Sequence, residues 1–175
     1  RKMCIRDSIY LIDSGGQYKF GTTDVTRTIS LNNSSKNIKR IFTKVLQGHI
    51  AVDTFELKEK TTGNDIDKVA RKPLNLIKLD YPHGTGHGVG YFLIVHEGPQ
   101  AITKKNRVKL KEGMVLSNEP GYYLNKKFGI RIENLISVRR NKSKLRFETL
   151  TLAPIDKDLI DKKSLKQKEI NWINE

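Results

Sequence analysis

Four histidines occur in the chain, and three of them, His83, His87 and His96, fall in the stretch PHGTGHGVGYFLIVHEGP. Histidine in a glycine-rich, non-helical stretch has little reason to be core filler. Four carboxylates stand out for the opposite reason, because their neighbours are apolar or β-branched. Asp13 and Asp24 lie in IDSGGQYKFGTTDVTRT, Glu119 in VLSNEPGYY and Glu133 in IRIENLI. A carboxylate on a buried strand must be paired, hydrogen-bonded or bound to metal, since an isolated one costs several kcal/mol or neutralises. Any one of these acids read alone is a surface residue or a salt-bridge partner. Four of them together with His87 call for more. Two Asp, two Glu and one His suit hard or borderline divalent ions such as Mn, Fe, Co or Zn. Around one ion the four carboxylates are excess negative charge. Around two they nearly neutralise it and can bridge. A two-metal site activates water and clamps a tetrahedral intermediate.

These residues need elements to hold them. Residues 9–12 and 22–31 read as strands, the second rich in β-branched residues. Asp13-Ser14-Gly15-Gly16 between them reads as a turn or bulge. Residues 37–51 and 65–79 show apolar positions at helical spacing, and Pro73 in the second predicts a kink or a junction of two helices. His49, in the first of these, is expected at the surface or between helices. Strands are expected over 91–95, 114–117 and 130–138, with a final strand pair over 144–152. In the 130–138 strand Arg131 and Glu133 face together, and Ile130, Ile132 and Asn134 face the other way. Residues 156–172 read as helix with a break near Lys163. Antiparallel strands with helices between them favour an α+β fold over a doubly wound sheet.

Composition narrows the classes. With 175 residues the chain allows one domain or part of a larger one. The one cysteine, Cys4, excludes an internal disulfide framework and a cysteine metal cluster. No apolar run approaches the ~20 residues that span a bilayer, so no membrane partner is expected. The net charge is +14, but the basic residues spread along the whole chain, and no paired aromatic platform accompanies them. A solvated basic face is therefore favoured and no nucleic-acid partner is expected. Residues 1–8, RKMCIRDS, contain MCIRDS, which resembles a translated sequencing-library end, so they read as a non-native scar.

An ordered series of motifs resembles the C-terminal catalytic region of aminopeptidase P, the Xaa-Pro aminopeptidases of the creatinase and methionine-aminopeptidase superfamily. The stretches are YLIDSGGQYKFGTTDVTRTI, HIAVDTF, ARKPL, LDYPHGTGHGVGYFLIVHEGP, LKEGMVLSNEPGYY, FGIRIENLISV and FETLTLAPID. The resemblance implies a pita-bread fold, a curved antiparallel sheet with outer helices, incomplete at the N-terminus. It divides the chain into the scar at 1–8, a partial metallopeptidase domain at 9–155 and the start of a truncated helical tail at 156–175. It also supplies roles. Asp13 would bind one metal, Asp24 and Glu133 would bridge both, and His87 and Glu119 would hold the second. Glu119 would assist proton transfer, His96 would donate to the scissile carbonyl oxygen, and His83 would shape the pocket for the proline. Arg131 would belong to the network behind the ligands, and Tyr91 and Tyr122 are candidates for the pocket wall.

The implied cofactor is a pair of divalent ions, manganese in most of the family, with zinc or cobalt as alternatives. The implied activity is hydrolysis that releases the residue ahead of a proline from the amino end of a peptide, with a hydroxide bridging the metals. Peptides beginning Xaa-Pro are the expected partners, the cytoplasm the expected place, and a homodimer stays open for the longer protein. Prolidase or methionine aminopeptidase of the same fold, an inactive fragment, and a non-catalytic peptide-binding module are the alternatives.

Overall fold

In the computed structural model, which describes residues 9–92 and 94–174, the first element is a long hairpin. Strand β1 (Ile9–Tyr18) pairs antiparallel with β2 (Gly21–Ser30), and the chain reverses at Lys19 and Phe20. The turn expected at 13–16 is therefore absent. Gly15 and Gly16 run within β1 because the β-branched ladder of β2 pairs with it throughout, and Gly15 sits opposite Asp24. Residues 1–8, Cys4 included, which the sequence reads as a scar, lie outside the described residues.

Helix α1 (Lys36–Asp53) starts at Ser35, whose hydroxyl accepts from the Ile38 amide at 3.3 Å, a normal N-cap. It buries Ile38, Ile41, Phe42, Val45, Leu46 and Ile50, one face at i, i+3, i+4, i+7 spacing. Helix α2 (Gly63–Asn75) packs across it. Gly48 permits this approach, since a Cβ there would lie 2.3 Å from the Ala70 carbonyl oxygen. Pro73 removes one helical hydrogen bond, and α2 stops at Asn75. Neither a second helix nor a continuation to 79 follows, and Lys78 turns the chain with φ 59°.

Two-residue strands β3 (Gly86–His87) and β4 (Ala101–Ile102) pair with each other. Next come β5 (Val115–Asn118), β6 (Gly121–Leu124), β7 (Phe128–Arg131), β8 (Asn134–Asn141) and β9 (Lys144–Thr149). β5, β8 and β9 form one antiparallel sheet in the order β5-β8-β9, and β6 pairs with β7. The single strand expected at 130–138 is thus split between β7 and β8 at Ile132 and Glu133. The expected final strand pair is one strand, β9, laid on β8. β5/β8 and β6/β7 are two halves of one long ribbon, interrupted at Glu119-Pro120 on one side and Ile132-Glu133 on the other. Pro120 has no N–H to donate to a ladder, which opens the ribbon there.

No strand forms among the described residues of 91–95. The Gly90 amide donates to the Ile94 carbonyl at 3.0 Å and the Glu97 amide to Gly88 at 2.8 Å, closing a loop with Tyr91, Phe92 and Ile94 exposed. The apolar run there has no strand beside it to pair with. The helix expected from 156 begins only at α3 (Gln167–Asn174), after 3₁₀ turns at Lys157–Leu159 and Lys162–Ser164. Local competition accounts for this. Asp156 accepts from the Asp158 and Ser30 amides, and the Asp161 amide donates to Thr43 Oγ1.

Two apolar clusters flank the ribbon. One joins α1 to Leu74, Tyr81, Ile130, Ile132 and Leu159. The other gathers Ile66, Ala70, Ile102, Leu116, Ile136 and Val138. His49 is fully buried, edge-on to Trp172 at 5.8 Å between ring centres, so the interhelix alternative holds and the surface one does not. No helix among the described residues is long and apolar enough to cross a membrane.

Candidate metal centre

The β1–β2 register decides the first half of the site. Asp13 stands opposite Thr26 and Asp24 opposite Gly15. Partners and their i+2 neighbours share a face, so both aspartates and Thr26 point the same way. The other two acids come from the interruptions in the ribbon. Glu133 follows the gap between β7 and β8, and its amide donates to the Thr26 carbonyl at 3.0 Å. Glu119 follows β5, its amide held by the Thr85 carbonyl at 2.8 Å. His87 arrives on β3 beside β5. Gly86 makes that approach feasible, because a Cβ on it would lie 1.9 Å from the Ser117 carbonyl oxygen.

The five sequence-predicted ligands converge. Ligand atoms of Asp13, Asp24 and Glu133 lie within 4.8 Å of one another, as do those of His87, Glu119 and Glu133. Glu133 belongs to both groups, and its residue is 2% exposed. His87 Nε2 is 3.4 Å from both Asp24 Oδ2 and Glu119 Oε1. Its Nδ1–H donates to the Gly88 carbonyl at 2.9 Å, which leaves Nε2 as the ligand atom. Asp24 also groups with His87 and His96 within the same 4.8 Å, and the His96 ring lies edge-on to His87 with centres 4.1 Å apart. His83 stands outside these groups but lines, with His87, His96 and Glu119, one cavity of about 320 Å³.

The electrostatics are those of an acid cluster short of positive charge. Burial, with the nearby Glu119 charge, pushes Glu133 up to about 7. Burial likewise raises Glu119. Burial draws His87 down, but its bond to Asp24, the Gly88 carbonyl and the Glu119 charge outweigh it, and the net shift is upward. His83 is lowered, chiefly by burial. Arg131 is a cation beside the cluster: it bonds Asp13 and places Nε 2.9 Å from Thr26 Oγ1 and 4.0 Å from Glu119 Oε2. Oxygen-rich donors around a deficit of positive charge, with one imidazole nitrogen aimed inward, fit a pair of divalent ions.

Several site residues carried no distinct sequence signal. Thr26 donates to Glu133 Oε2 at 2.6 Å. Ser117 donates to Glu119 Oε1 at 2.9 Å and accepts from the His87 amide at 3.0 Å, orienting two ligands at once. Tyr123 bonds His83 Nε2 at 2.9 Å and accepts from Arg131 Nη1 at 3.0 Å. Its neighbour Tyr122 packs on Phe128 in the core, and Tyr91 is exposed on the 91–95 loop, so neither lines the 320 Å³ cavity. Adjacent strand residues face opposite ways, and the register runs unbroken past Pro120, with Asn118 opposite Asn134 and Gly121 opposite Arg131, so Tyr123 shares the face of Glu119 and Tyr122 does not. Arg131 and Glu133 do face together, meeting at Thr26, while Ile130 and Ile132 enter the core.

Residues 1–140 match metallopeptidase family M24, and residues 143–175 match the C-terminal region of peptidase M24. A probable Xaa-Pro aminopeptidase P of Laccaria bicolor is 50% identical over 97% of this chain. The crystal structure of X-prolyl aminopeptidase from Caenorhabditis elegans, described as a cytosolic enzyme with a di-nuclear active site, superposes with a TM-score of 0.90 at 42% identity over 96% of this chain. Prolidase from Pyrococcus furiosus gives 0.76 and 30% over 86%. The chain spans 28% of the Laccaria protein, 28% of the Caenorhabditis chain and 42% of the Pyrococcus one. The fold is the α+β pita-bread fold of these enzymes. The converging acids and His87 thus lie within a family match that covers most of the sequence, and the chain belongs to metallopeptidase family M24.

Proposed function

We propose that the protein carrying this chain is a Xaa-Pro aminopeptidase, which removes the first residue of a peptide whose second residue is proline. The observation that carries this is the five-residue ligand set drawn together in a fold that matches the Caenorhabditis X-prolyl aminopeptidase at 0.90. Asp13, Asp24 and Glu133 would hold one divalent ion, and His87, Glu119 and Glu133, with Asp24, the second. Bound there, the ions supply Lewis acidity and an activated water. The oxygen-dominated donor set favours manganese over zinc or cobalt.

The chain's own residues supply the rest. Glu119, raised by burial and held by Ser117, is suited to take a proton and return it to the leaving proline nitrogen. His96 is exposed beside His87 and can donate to the developing oxyanion. His83 has both ring nitrogens engaged, with Gly84 at 2.6 Å and Tyr123 at 2.9 Å. It therefore serves as a fixed wall for the substrate ring, not as a proton carrier. Peptides are the substrate class, and the cytosol is the proposed place, following the description of the Caenorhabditis relative.

The test compares an Xaa-Pro-Xaa tripeptide with an Xaa-Pro dipeptide, using the intact polypeptide loaded with manganese and then stripped by chelator. Cleavage of the tripeptide, lost on stripping and restored by manganese, is expected. Cleavage of the dipeptide alone would make it a prolidase.

A further inference from the structure

Arg71 on α2 takes no part in the ligand set, yet it is 4% exposed and donates from all three of its nitrogens. Nε bonds Asp67 at 2.8 Å. Nη1 bonds Asp80 at 2.7 Å and the Tyr81 carbonyl at 2.8 Å. Nη2 bonds the His83 carbonyl at 2.6 Å. The guanidinium also stacks on the Tyr81 ring at 4.0 Å. Two of these bonds go to the main chain of the loop that carries His83. The far oxygen of Asp67 accepts from Thr85 Oγ1 at 2.7 Å, and the Thr85 carbonyl is the group that holds the Glu119 amide. One side chain therefore ties α2 to the segment that presents His83 and, through Asp67 and Thr85, to Glu119.

We infer that Arg71 is a positioning residue, which sets the path of residues 81–85 and so holds the His83 ring against the cavity. This rests on the aminopeptidase reading above. Purely structural burial would need neither the fork nor the two carbonyls. A lysine is a point donor and cannot reach Asp67, Asp80 and two carbonyls at once. Sliding of the loop would break the 2.9 Å bond between His83 and Tyr123. A displacement of about 1 Å in such a wall can cost about 10²-fold in rate.

The test is a double-mutant cycle in the intact, manganese-loaded polypeptide, with Arg71→Lys and His83→Ala alone and together. Arg71→Lys is expected to lower kcat on an Xaa-Pro-Xaa tripeptide by about 10²-fold. Metal count is expected to stay close to that of the unmodified protein, while Tm falls because buried Asp67 loses part of its pairing. In the His83→Ala background the same substitution is expected to cost clearly less, because the route through His83 is gone and only the one through Asp67 and Thr85 to Glu119 remains. An equal cost in both backgrounds overturns the inference. If Arg71→Lys does not fold, Asp80→Asn carries the same cycle, since Asp80 anchors the guanidinium from a side chain that is 40% exposed. If the unmodified protein cleaves no tripeptide, the functional reading fails separately. The inference then stands or falls on the His83 imidazole ¹⁵N–¹H signals, displaced in Arg71→Lys if it is right and unchanged if it is wrong.

Discussion

Glu133 is where the chemistry of single residues is sharpest. It is buried, belongs to both ligand groups and is pushed up to about 7 by burial and the Glu119 charge. Near neutral pH the metal-free protein therefore holds a proton there that cation binding must displace. Affinity for manganese is expected to fall about tenfold per pH unit below 7, with one proton released from Glu133 as the ions bind, as read by titration calorimetry in two buffers. Asp24→Ala and Glu133→Ala each remove an atom shared between groups and are expected to abolish binding of two ions, checked by elemental analysis. Retention of both ions in either variant would sink the assignment. Ser117→Ala leaves every ligand in place but frees Glu119 and the His87 amide. A loss of about 10- to 100-fold in metal affinity is expected from such a change behind the ligands.

Packing between elements brings a second titration into play. His49 of α1 is sealed against Trp172 of α3 and faces the main chain of Asn118 and Ile132, with no hydrogen bond of normal geometry to either ring nitrogen among the described residues. Burial, aided by the nearby Arg27 charge, pulls it down to about 3 from the ordinary 6.5. The unfolded chain therefore binds a proton between those two values that the folded chain refuses. Stability from this group is complete above about pH 6.5 and is lost as pH falls toward 3, at about 1.4 kcal/mol per unit within the window. The Tm of the unmodified protein is expected to drop more steeply from pH 7 to 5 than that of His49→Leu. Other titrating groups are common to both, so parallel curves would show that His49 is not held neutral.

Across the whole molecule, the hairpin has two faces of opposite character. One carries Asp13 and Asp24, and the other carries Tyr10, Ile12 and Ile29, respectively 51%, 43% and 38% exposed. Contiguous apolar surface of this kind promotes association. The triple substitution Tyr10→Ser, Ile12→Thr, Ile29→Thr is expected to raise the monomeric fraction of the 175-residue chain in gel filtration without changing its manganese count. An unchanged elution profile would show that this face does not drive association. Exposed ion pairs such as Arg139–Glu148, Arg140–Glu112 and Lys144–Glu56 offset some of the basic residues, and the +14 excess lies outside such pairs. Such exposed pairs contribute at most about 1 kcal/mol each.

By itself the sequence determined the helices α1 and most of α2, the strands flanking the site and the identity of all five candidate ligands. Those signals are local. Apolar periodicity belongs to each segment, and a carboxylate among β-branched residues is anomalous wherever the strand goes. Tertiary structure decided what depends on partners distant in the chain. The turn moved from Gly15-Gly16 to Lys19-Phe20 because a full ladder with β2 outweighs a pair of glycines. The described residues of 91–95 formed a loop because no strand among the described residues lies beside them. The ribbon's hydrogen bonding opened at Pro120 and Glu133 while its register held, so Tyr123 stayed on the face of Glu119 and Tyr122 packed against the core. Arg71 gained its role only when α2 was laid against the loop of His83. Which hydrogen-bond donors and acceptors meet is fixed by register and packing that no single segment contains.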